Sequence, residues 1–185
     1  MDRRITLITL IGAALALALP AASFGQVGPY WNCVASACVV DEGDVNDYLA
    51  TYEEVYFKTG VTGYIVMRCN VNNPDDGGQN PGWDRFGLTF KDPDGTATAN
   101  SVKAYLRRVS RTTGSTSTVA TFDSNRFAGT GTQFGAVDVN HSWNFWDYYY
   151  FVEFQLYRSG TGDVRAYGGK LYLYFGAAGG ENPEK

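Results

Sequence analysis

From about residue 61 onward, apolar and polar side chains alternate in short runs, and each run stops at a cluster of Gly, Asn, Asp or Pro. A period of two sends successive side chains to opposite faces of an extended chain, so these runs predict strands. In 61–71, Val61, Ile65, Met67, Cys69 and Val71 share one phase, and the run ends at the turn-forming stretch Asn72-Asn73-Pro74-Asp75-Asp76-Gly77-Gly78. Phe86, Leu88 and Phe90 share a face of 85–91, which is followed by the turn Asp92-Pro93-Asp94-Gly95. Runs 101–111 and 117–123 flank Thr112-Thr113-Gly114-Ser115, the pattern of a hairpin. A shorter strand is expected over 133–140. Runs 146–158 and 164–175 flank Ser159-Gly160-Thr161-Gly162 and predict a second hairpin.

The period changes upstream. Val45, Tyr48, Leu49 and Tyr52 follow the i, i+3, i+4, i+7 spacing of one helical face, with Asp44 placed to cap it, so 44–54 predicts a short helix. Its Tyr, Thr and Val content leaves an early strand open as the alternative. Residues 26–43 read as an irregular leader. Strands without intervening helices exclude a parallel α/β sheet. The fold class expected is all-β, an antiparallel β-sandwich of jelly-roll or immunoglobulin-like style with about eight strands and one short N-terminal helix. It occupies a single domain over 44–175, followed by a polar, Gly-rich tail over 176–185. A membrane-spanning barrel fits less well, because the runs at 85–91 and 117–123 are too short to cross.

The first residues add an address. Arg3 and Arg4 precede an apolar run over 5–19, Pro20 breaks it, and the small residues Ala21, Ala22 and Ser23 follow. That order is a secretory signal peptide over 1–25, cleaved after Ser23 or Gly25. A transmembrane anchor would need about 20 apolar residues, and the first cysteine, Cys33, lies too far downstream to be lipidated at the cleavage point. Export then puts three cysteines in an oxidising compartment. Cys33 and Cys38 are close in sequence and are expected to pair, leaving Cys69 on an inward strand face; pairing of Cys69 with either of the others is the alternative. The same three residues lack a convincing fourth metal ligand. A net charge of −4, with Arg107, Arg108 and Arg111 as the one close basic group and that read as a solvated strand end, makes nucleic acid a poor partner, and no segment after the signal is apolar enough for a helical membrane span.

Candidate chemistry is sparse. The aromatic stretch 143–151 is the strongest local feature. Alternation assigns Trp146, Tyr148, Tyr150, Val152, Phe154 and Leu156 to the core. It turns Tyr149, Phe151, Glu153 and Tyr157 outward as a candidate ligand-binding face. Aromatic rings interleaved with polar side chains suit a glycan, or equally a protein surface. Exposed Tyr and edge strands would also serve a self-assembling structural subunit, a homo-oligomer in an extracellular layer or fibre. Asp92 and Asp94 resemble the opening of a calcium loop, but Ala97, Ala99 and Val102 break the pattern where further oxygen ligands are needed. No other cofactor is implied. His141, the single histidine, has no nucleophile signature near it, and Asp147 and Glu153 are about 20 Å apart along one strand, too far to act as paired acids. A non-catalytic, secreted binding or surface module is therefore expected, with a small hydrolase as the weaker reading. Asn140-His141-Ser142 matches the N-glycosylation triplet.

Overall fold

In a computed structural model, residues 29–73 and 80–174 are described. The expected signal peptide, the tail and Asp75-Asp76 lie outside the described residues. Eleven strands are formed among those described: β1 (Trp31–Val34), β2 (Val39–Val40), β3 (Tyr48–Ala50), β4 (Val55–Phe57), β5 (Gly63–Val71), β6 (Arg85–Lys91), β7 (Asn100–Ser110), β8 (Thr116–Asp123), β9 (Thr132–Asp138), β10 (Tyr148–Arg158) and β11 (Arg165–Tyr172). They make two antiparallel sheets. One runs β2-β5-β10-β7-β8. The other runs β3-β4-β11-β6-β9, with β1 sharing the free edge of β11 beside β4. From β5 onward the chain passes repeatedly between the sheets, and the expected all-β sandwich is what forms.

The core lies between the sheets and joins the apolar phases of 61–71, 85–91 and 146–158 to Leu106, Phe122, Ala166 and Leu171 from the remaining strands. Ile65, Met67, Leu106, Phe122, Val152, Phe154 and Leu156 face Phe86, Leu88, Phe90, Ala166 and Leu171, all with 0–1% of their surface exposed. Each such aliphatic or aromatic side chain contributes roughly 1.5–3 kcal/mol by leaving water. β10 is the centre of its sheet: it pairs along its length with β5 on one side and β7 on the other. The β7–β8 hairpin forms as expected, and Gly114 supplies the positive φ of +71° that its turn requires.

Four expectations are corrected. The second hairpin does not exist, because β10 and β11 belong to different sheets. Both edges of β10 are already occupied, so residues 159–164 carry the chain across the sandwich, and β11 pairs with β6 instead. Arg158 holds this crossing by donating to the carbonyls of Lys58, at 2.6 Å, and Val61. The helix over 44–54 is absent. Of its intended apolar face, Val45, Leu49 and Tyr52 are exposed, Tyr52 fully so, and Tyr48 packs partly against the core. With most of that face unburied, the segment forms a 3-10 turn at Glu42–Asp44 and the strand β3 paired to β4. Asp44 accepts from the Val66 amide at 2.7 Å rather than capping a helix. The disulfide joins Cys38 to Cys69, with Cys33 left as a free thiol, so the expected Cys33–Cys38 pairing is replaced by its alternative. The register explains it: β2 lies on β5 with Val39 opposite Arg68, which brings Cys38 beside Cys69. Finally, Trp146 is 70% exposed in a turn that precedes β10, not on the core face. Asn144 makes that turn by accepting, through Oδ1, from the amides of Trp146 and Asp147.

A candidate recognition face on the five-stranded sheet

With Tyr150, Val152, Phe154 and Leu156 buried against the other sheet, β10 turns Tyr149, Phe151, Glu153, Gln155 and Tyr157 to the opposite side. The registers add neighbours to each. Tyr157 lies beside Tyr64, Gln155 between Val66 and Lys103, Glu153 between Arg68 and Tyr105, and Phe151 between Asn70 and Arg107. The four candidate residues therefore do share one sheet face, but they are not equivalent.

Glu153 is the buried one, with 7% of its surface exposed. Its Oε2 accepts from Arg68 Nε at 3.1 Å and its Oε1 from Arg107 Nη2 at 2.8 Å, while Gln155 Nε2 donates to Oε1 at 3.2 Å. Arg107 in turn lies over the Tyr105 ring at 4.9 Å, and Arg68 also pairs with Asp41 at 3.1 Å. Both carboxylate oxygens of Glu153 are engaged within the protein. Its place is to hold two arginines in the middle of the face, where a charge-assisted bond is stronger than a neutral one.

Two depressions flank this lock. The one at the Tyr157 end, of about 300 Å³, is bounded by Tyr64, Tyr105, Tyr157, Lys103, Gln155 and Asn125, with Thr98 and Ser101 at its rim. The rings of Tyr64 and Tyr157 stand 4.7 Å apart, tilted by 35°. The other, also about 300 Å³, lies at the Tyr149 end among Asn70, Asn72, Phe145, Tyr148 and Tyr149. Tyr149 is 60% exposed, and Arg111 sits over its ring at 5.1 Å while donating to the Trp146 carbonyl at 2.9 Å. The two ends are about 26 Å apart at roughly 3.3 Å per residue. Sequence reasoning placed Tyr149, Gln155 and Tyr157 on this face but missed Tyr64, Tyr105 and Asn70. The signal was present in the polar phase of β5 and β7, each of which carries an isolated Tyr among polar residues.

The predicted calcium residues lie at the end of β6. Asp92 is fully buried and accepts from the Ser124 hydroxyl, and Asp94 Oδ2 accepts from the Asn100 amide at 3.1 Å. Burial, and then the neighbouring Asp94, pushes the Asp92 carboxyl up to about 7. Asp94 is held below its ordinary value: burial acts against this, and hydrogen bonds from Asp92 and Asn100 outweigh it. One proton shared between the two carboxyls accounts for both directions. Asp94 Oδ1, Asn100 Oδ1 and Asn125 Oδ1 are buried without a hydrogen-bond partner, while no third carboxylate joins the pair among the described residues. His141 Nε2 lies 2.9 Å from the Tyr150 hydroxyl, and burial followed by the charge of Arg108 lowers its pKa.

The fold and this face define a class, a two-sheet antiparallel sandwich with an aromatic and polar outer surface. No protein-family model and no curated protein sequence matches this chain. Solved structures with a similar course of the backbone include the CBM36-1 domain of a multidomain xylanase from the hindgut metagenome of Trinervitermes trinervoides. That domain is 12% identical at a TM-score of 0.44, over 79% of this chain and 98% of the other. The xylan-binding module CBM15 is 8% identical at a TM-score of 0.46, over 79% and 97%. A family 11 carbohydrate-binding module from Clostridium thermocellum is 13% identical at a TM-score of 0.39, over 81% and 92%. At these values the similarity is one of backbone course only.

Proposed function

We propose that this protein is a secreted, non-catalytic module that binds a glycan along the outer face of the five-stranded sheet. One observation carries the reading: at both ends of β10, tyrosine rings and amide side chains border the same depression, joined by Lys103, Thr98 and Ser101 at the Tyr157 end and by Val71 and Phe145 at the Tyr149 end. A pyranose offers an apolar face to a ring and hydroxyls to the amides, which is the chemistry each depression supplies. The Glu153 lock supports a binding role over a hydrolytic one, since its carboxylate is engaged by two arginines. The signal-like N-terminus and the Cys38–Cys69 bridge support export to an oxidising compartment.

The test is a glycan array with the protein and its Tyr157→Ala and Tyr149→Ala variants. Binding to at least one polysaccharide class is expected, with a loss of about tenfold for either variant, the equivalent of about 1.4 kcal/mol. Binding that survives both substitutions removes the face from the function. A protein partner is the second reading, favoured by Trp146, Tyr149 and Arg111 exposed together at one end, the residue types that dominate protein interfaces. A blank array would select it.

A further inference from the structure

Three cysteines from three stretches of chain converge at one edge of the sandwich. Cys33 belongs to β1, which lies on β11 in the six-stranded sheet. Cys38 precedes β2, and Cys69 lies on β5, both in the five-stranded sheet. The close approach of β1 depends on Gly168, where a Cβ would collide with the Cys33 carbonyl oxygen. Cys38 and Cys69 are bridged with their Cα atoms 4.6 Å apart, and Cys33 keeps its thiol. All three sulfur atoms lie within 4.8 Å of one another. A nucleophile thus stands beside a bond it is able to attack. A surface depression of about 660 Å³, bounded by Trp31, Cys33, Arg68, Cys69 and Asn70, opens the cluster to solvent.

We propose that the three cysteines form an exchange site in which the bridge migrates among three registers. The Cys33 thiolate attacks the sulfur of Cys69 or of Cys38. A new S–S bond forms as the Cys38–Cys69 bond breaks, and the electron pair leaves on the displaced sulfur, which takes up the proton that Cys33 released. The number of disulfides is unchanged, so neither oxidant nor reductant is consumed. The registers differ in what they tie together. Cys38–Cys69 closes a link within the five-stranded sheet, Cys33–Cys69 staples the two sheets to each other, and Cys33–Cys38 frees β5 from any cross-link. Burial pushes the Cys33 thiol up to about 11, with the Gly169 amide offsetting part of the effect. The charged groups around it are Arg68 on β5, Lys170 on β11 and Glu53 in the β3–β4 turn. Migration is therefore slow near neutral pH and accelerates roughly tenfold per pH unit below the thiol value.

Bridge mapping tests this. The protein is held at about pH 9 without added thiol, quenched in acid and digested with pepsin, and its cross-linked peptides are read by mass spectrometry. Peptides joined through Cys33–Cys69 and Cys33–Cys38 are expected beside the starting bridge, accumulating roughly tenfold faster at pH 9 than at pH 8. Their rate of appearance is expected to be independent of protein concentration, which separates intramolecular migration from scrambling between molecules. Cys38→Ser, oxidised during purification, is expected to carry Cys33–Cys69 in full yield. Cys38–Cys69 alone at every pH, or two free thiols in Cys38→Ser, overturns the proposal.

Discussion

Asp92 shows how much one buried side chain governs. In an unfolded chain its carboxyl titrates near 4, whereas in the fold it titrates near 7. Between those values the folded state holds a proton that the unfolded state has released, so stability falls as pH rises. Its contribution is whole below about pH 4 and lost above about pH 7. Asp94, held low, acts in the opposite sense and only in acid. Asp92→Asn mimics the protonated form. It is expected to melt at a higher temperature than the natural protein at about pH 8 and to flatten the decline between about pH 5 and 7, as thermal melts across pH will show. A calcium-dependent rise in melting temperature that Asp92→Asn abolishes would instead assign the pair, with its neighbour Asn100, to a cation. The turn chemistry of Asp92-Pro93-Asp94-Gly95 was legible in the sequence. The burial that shifts its proton was not, because Ser124 comes to it from beyond the far end of β8.

Among the elements, two turns of similar composition behave differently. The Thr112-Thr113-Gly114-Ser115 turn joins neighbours in one sheet, while Ser159-Gly160-Thr161-Gly162 joins strands in different sheets. Local chemistry sets where a chain can reverse. It does not set which strand receives the returning chain, and that depends on which edges are vacant. The glycines carry the distinction. Gly114 has a positive φ, so Gly114→Ala is expected to cost about 1 kcal/mol by denaturant unfolding. Gly160 lacks a positive φ and has open space around its missing Cβ, so Gly160→Ala is expected to be close to neutral. An equal cost at both positions would mean that the two turns are conformationally alike. The 44–54 segment teaches the same lesson from the other side. Its helical spacing is real, but a helical face needs a groove to fill, and here β4 offers an edge instead.

For the whole molecule, the question is whether the sandwich acts singly or in copies. Exposed Tyr64, Trp146 and Tyr149 stand at the ends of β10, while Tyr52 and Phe134 are exposed off that face; assembly by strand addition would use an edge. The edge strand β8 presents Thr116, Ser117, Thr118 and Thr121, a polar border suited to solvent. Sizing over a wide concentration range is therefore expected to give a monomer throughout. A mass that climbs with concentration would favour the structural-subunit reading over the glycan-binding one.

What the sequence determined by itself was the set of strands from 61 onward, the phase buried by 61–71, 85–91 and 146–158, and which residues of β10 face away from the core. Those follow from a period of two, and a period is written locally. Tertiary structure alone decided the partner of β11, the pairing of Cys38 with Cys69, the loss of the early helix and the binding of Glu153 by Arg68 and Arg107. Each of these depends on which distant segments become neighbours. That is settled by competition for edges and for buried space, and alternation along the chain carries no record of it.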